Sequence, residues 1–76
     1  MNNKRRDKLK AANQLIERAL GIVEQVLDEE QDCLDNIPEN LQSSERYDKA
    51  EDTVSSLEDT VDYLERAKSE IENSVE

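Results

Sequence analysis

Apolar residues recur from Leu9 onward at positions 9, 12, 16, 19, 20, 23, 26, 27, 34 and 37. Steps of three and four are those of an amphipathic helix. Tyr47, Ala50, Val54, Leu57, Val61, Leu64, Ile71 and Val75 form a second such series. Only Lys68 interrupts it, where a long aliphatic stem can lie along the seam. Residues 9–37 and 47–75 are equal stretches of roughly 44 Å each at ~1.5 Å per residue. Equal lengths and a short connection predict an all-α fold: one antiparallel, coiled-coil-like helical hairpin over residues 1–76. Helix 1 is expected at about 4–36, a turn at 37–43 and helix 2 at about 44–75.

The connection reads "DNIPENLQSSERY". Pro38 disfavours helix at Ile37, so helix 1 ends there or just before. Pro38 suits the first position of a brief helical turn, with Asn36 as its cap. Ser43 or Ser44 then caps helix 2, and Glu45 and Asp48 complement its positive end. Ile37 and Leu41 are expected to close the apolar end of the hairpin.

The two helices differ. In heptads, helix 2 has a narrow a/d seam, with Glu51, Glu58, Glu65 and Glu72 at e, Asp52 and Asp59 at f, and Thr53, Thr60, Ala67 and Ser74 at g. The repeated phrase "EDTV" is this recipe: acid, acid, small residue, core residue. Helix 1 has an apolar arc of roughly 160°, wider than one narrow partner covers. Leu15 and Ile22 lie on one side of its main stripe, and Leu20, Leu27 and Leu34 on the other. The surplus predicts a homo-oligomer, most simply a two-fold dimer forming a four-helix bundle, with Leu15, Ile22 and Val26 in the contact. The alternative is a monomeric hairpin with one side left apolar.

Charge adds a second constraint. The chain has 20 acidic and 10 basic side chains, a net −10, and of these residues 39–76 hold 12 acids and four bases. The cations Lys4, Arg5, Arg6, Lys8 and Lys10 and the acids Glu29, Glu30, Asp32 and Asp35 run against the dipole of helix 1. A register in which opposed residue numbers total about 80 sets the basic start beside Glu70, Glu72 and Glu76. The same register sets the acidic end beside Arg46 and Lys49. Glu30 sits on an a row with Lys49 or Arg46 as its expected neighbour, the alternative being a solvated edge glutamate.

Net −10 over ~44 Å is one charge per ~4.4 Å, and a side-by-side dimer would carry one per ~2.2 Å, against ~1.7 Å for duplex DNA. A basic protein, including one that itself binds nucleic acid, is therefore the expected partner. Its contacts are expected at Glu51, Asp52, Glu58, Asp59 and Asp62, with Tyr63 as an aromatic anchor. The negative charge opposes direct nucleic-acid binding.

Candidate chemistry is sparse. Without His and with one Cys there is no zinc set, and "DEEQDCLD" lacks the glycine turn of a calcium loop. No metal, cofactor or catalytic residue is expected, since paired carboxylates need a cleft to shift their pKa values. Cys33, on the d row, reads as a small buried apolar group. Gly21 reads as a tolerated weak spot on an outer position, or else a place of close approach. No stretch reads as a signal peptide or membrane span, which leads to the expectation of a cytoplasmic protein.

Residues 27–65, through "LDEEQ", "IPENLQ" and "SERY" followed by acid-rich heptads, resemble short acidic hairpin proteins of phages and prophages of Gram-positive bacteria. The resemblance implies the hairpin fold, a bacterial host cell and, by analogy with small acidic phage proteins, inhibition of a host nuclease or defence protein. An assembly module docking through the apolar flank of helix 1 is the competing expectation.

Overall fold

The computed structural model describes residues 1–76. It contains α1 (Asn3–Asp35), a 3-10 turn (Glu39–Leu41) and α2 (Glu45–Val75). The helices pack on each other as an antiparallel hairpin 59 × 15 × 14 Å in extent. No helix is long and apolar enough to cross a membrane.

Each helix end has a local cause. Asn2 caps α1, its side-chain oxygen accepting from the Arg5 N–H at 2.8 Å. At the other end Asn36 closes α1 rather than opening the turn: its side-chain amide donates to the Asp32 carbonyl at 2.8 Å. Pro38, extended at φ −58 and ψ 146, precedes the 3-10 turn and has no side-chain cap of its own. Ser44 caps α2 by accepting from the Tyr47 N–H at 3.2 Å, while its hydroxyl donates to the Leu41 carbonyl at 2.7 Å. Glu45 and Asp48 occupy the first turn of α2, favourably for its dipole. Ile37 is half-buried at the closed end, whereas Leu41 stays 50% exposed.

The seam is traced by the residues withdrawn from solvent. On α1 and just beyond it the row runs Arg6, Leu9, Asn13, Ile16, Leu20, Val23, Leu27, Glu30, Leu34 and Ile37, with Ala12, Ala19 and Gln31 half-buried beside it. On α2 and at its cap, read backwards, the row runs Val75, Ile71, Lys68, Leu64, Val61, Leu57, Val54, Ala50, Tyr47 and Ser44, with Thr60 half-buried beside it. The two rows run antiparallel along each other, with Glu17 beside Lys68 across the seam. Leu20 and Val54, at the middle, are the two buried residues of the chain.

The row on α1 is one residue out of phase with the stripe that contains Cys33, so that Leu20, Leu27 and Leu34 take position a and Ile16, Val23 and Glu30 position d. Leu20, Leu27 and Leu34 enter the seam, and Ala12, Ala19, Val26 and Cys33 flank it. Larger side chains remove more apolar area from water, so the leucine row is preferred even though it brings Asn13 inside. Cys33 is accordingly exposed, not buried. Asn13 is half-buried in the seam, its Oδ1 shut from water without a partner, and Lys68 is the polar member of the row on α2. A polar layer among aliphatic ones disfavours slippage of one helix along the other.

Candidate functional site: two unlike faces of the hairpin

The charges of α1 and α2 pair across the seam at one place only. Lys68 Nζ lies 3.0 Å from Glu17 Oε1 and 3.9 Å from Glu72 Oε1. The hydrogen bond to Glu17 raises the Lys68 pKa above its ordinary value. The charges of Glu17, Glu72 and Glu65 add to this, and desolvation opposes it. No ion pair forms between the basic start of α1 and Glu70, Glu72 or Glu76, nor between its acidic end and Arg46 or Lys49. Position explains this. Lys8 is at c and Glu72 at e, on opposite sides of the seam, while Glu29 and Lys49 share a side but both sit at outer c positions. Glu30 is half-buried and is likewise unpaired.

Because one ammonium reaches glutamates on both helices, the e positions of α1 and α2 lie on the same side of the hairpin. The b positions follow them, and c and g positions occupy the opposite side. Two surface grooves agree. One, of about 400 Å³, is edged by Lys10, Gln14, Glu17 and Glu72; another, of about 620 Å³ near the turn, opens between Cys33 and Arg46.

Sorting the charges by side gives a simple result. The e/b side carries Asp7, Glu17, Glu24, Asp28 and Asp35 from α1, and Asp48, Glu51, Glu58, Asp62, Glu65 and Glu72 from α2 with Glu76 at its end. Lys10 and the ammonium of Lys68 are its cations, so this side holds −10, equal to the whole net charge of the chain. The remaining eight acids and eight bases cancel elsewhere. The opposite side, between Ala12 and Val26 on α1 and between Thr53 and Ala67 on α2, has no charged residue at its c and g positions. Leu15, Ile22 and Tyr63 stand there 65%, 59% and 64% exposed, with Val26 at 40%.

The expected partner-binding residues are therefore divided. Glu51, Glu58 and Asp62 share the acidic face; Asp52 and Asp59 lie on the back of α2; Tyr63 belongs to the uncharged face with Leu15, Ile22 and Val26. Glu17, Glu24, Asp28, Glu65 and Glu72 lie on the same face. The acids of α1 become visible as members only when the two helices are placed side by side. No three His, Cys, Asp or Glu side chains converge in a metal-holding arrangement. No protein-family model, curated protein or solved structure matches the chain.

Proposed function

We propose that the chain is a non-enzymatic interaction protein whose acidic face binds, and inhibits or modulates, a basic protein. The observation that carries this reading is the gathering of the entire net charge onto one side of a rod. Charge scattered for solubility would leave both sides acidic; a one-sided field orients an approaching cationic surface and speeds its encounter. The resemblance of residues 27–65 to phage and prophage hairpins fits a partner among nucleic-acid-binding or host-defence proteins of a bacterial cell, met in the cytoplasm.

Spread over the 59 Å length, ten charges make one per about 6 Å, far sparser than the ~1.7 Å spacing of duplex DNA. The face is better suited to a protein with spaced Lys and Arg side chains than to a groove shaped for a continuous phosphate backbone. The test is capture of the basic partner from host lysate at low and high salt, repeated with Glu24→Lys, Glu51→Lys and Glu58→Lys combined. Binding should be lost in the triple variant and weakened by salt, with helicity intact. Equal affinity of wild type and variant would refute the electrostatic reading.

A second reading, an assembly module, draws on the exposure of Leu15, Ile22 and Val26. In that case Leu15→Gln with Ile22→Gln abolishes complex formation and the acidic triple variant does not.

A further inference from the structure

The uncharged face needs a cover, and its own composition names one. With Leu20 and Val54 its only buried residues, the hairpin is a single layer of two helices whose seam stays partly open to water. Helical domains of this size gain stability by adding a layer. The face is ready for burial. The hydroxyls of Thr53, Thr60 and Ser74 already donate to the carbonyls of Lys49, Ser56 and Glu70 at 3.0, 2.8 and 2.8 Å. Their donors are thus satisfied within α2, and covering them strands no polar hydrogen.

The charges at the margins identify the occupant. At one end of the face Lys8 stands on α1 and Glu70 on α2; at the other, Glu29 stands on α1 and Lys49 on α2. The four corners alternate in sign. A rectangle of this kind is complementary to its own copy turned over about its long axis, so that Lys8 meets Glu70 of the copy and Glu29 meets Lys49 of the copy. That same rotation lays the bulky row of one α1 on the small row of the other α2. Leu15 falls near Ala67, Ile22 near Thr60, and Tyr63 over Ala19. Turning about the short axis also matches the corners, but it sets bulk on bulk and leaves the small rows facing each other. Between the corners the face is ~32 Å long and about two helix diameters, ~20 Å, wide. The resulting footprint of about 640 Å² approaches the ~800 Å² per partner of stable complexes.

We infer that a second copy of this chain docks on the Leu15–Ile22–Tyr63 face, α1 against α2 of the copy, making a four-helix bundle. Its two acidic faces point outward in opposite directions. Their charges therefore do not add on one side, and each pair of chains presents two separate acidic surfaces.

Sedimentation equilibrium of the full chain tests this. The wild type should show twice the 8.8 kDa chain mass at micromolar concentration. Lys49→Glu and Glu29→Lys should each weaken association about tenfold, and the double swap should restore most of it. An 8.8 kDa species across the whole concentration range, with full helicity, would overturn the inference. So would a dimer indifferent to both single swaps. The readout is mass without any partner, so it stands apart from the acidic-face reading.

Discussion

Asp62 and Tyr63 are neighbours in the chain and belong to opposite sides of the molecule. One step along a helix turns a side chain by ~100°, which carries Asp62 into an acidic field and Tyr63 onto a surface without charge. The difference teaches how a short chain with 39% charged residues can hold two unlike surfaces. The seam fixes the rotation of both helices, and every other position then has its side assigned. Both faces consequently depend on the same thin core.

Removing that core should have the largest effect on both faces. Val54→Asp places a carboxylate at the most buried position, 5% exposed, and should cost roughly 3 kcal/mol or more. Circular dichroism should report loss of helix, with both faces lost together. Retained helicity would mean the seam does not lie where the layers place it.

A sharper test uses the adjacent pair. Asp62→Lys should weaken binding of a basic partner by about tenfold at low salt and leave the chain's mass unchanged. Tyr63→Lys should leave partner affinity within about twofold and reduce self-association instead. If both substitutions changed the same property, the two sides would not be separate.

Gly21 lies on the acidic side, and a Cβ there would meet nothing within 4 Å. Gly21→Ala should therefore stabilise the fold by about 1 kcal/mol through helix propensity, as thermal unfolding would show, without altering mass or binding. Lost partner binding would reveal backbone approach at this point.

The smallest effect is the alkaline behaviour of Lys68. Its pKa is raised in the folded chain, so folding favours the protonated form. That contribution is complete below the ordinary lysine value of ~10.4 and is lost as pH rises past the folded value. Lys68→Met should flatten the fall in melting temperature in that range; an unchanged alkaline slope would deny the Glu17 contact a part in it.

Much of the fold was legible from periodicity and from the turn. The helix limits, a serine cap at 43 or 44 and the antiparallel pairing all follow from "IPENLQSSERY" and two series of matched length, and the structure selects Ser44. The phase of α1 was not. Its wide apolar arc offers two stripes one residue apart, and the choice between Ala12–Ala19–Val26–Cys33 and Asn13–Leu20–Leu27–Leu34 rests on packing against α2. The acidic face was half legible for a related reason. Acids can be counted along one helix, but Glu17, Glu24 and Asp28 join Glu51 and Glu58 only through the side-by-side geometry that Lys68 reports. Tyr63, set among acids in the sequence, could be assigned to the other side only once that geometry was known.

The separation of the faces is tested most directly by backbone amide NMR of the full chain titrated with a short poly-lysine peptide. Shifts should concentrate at Glu17, Glu24, Glu51, Glu58 and Asp62 and leave Leu15, Ile22 and Tyr63 in place. Perturbation spread evenly around both helices, or centred on Tyr63, would contradict the account.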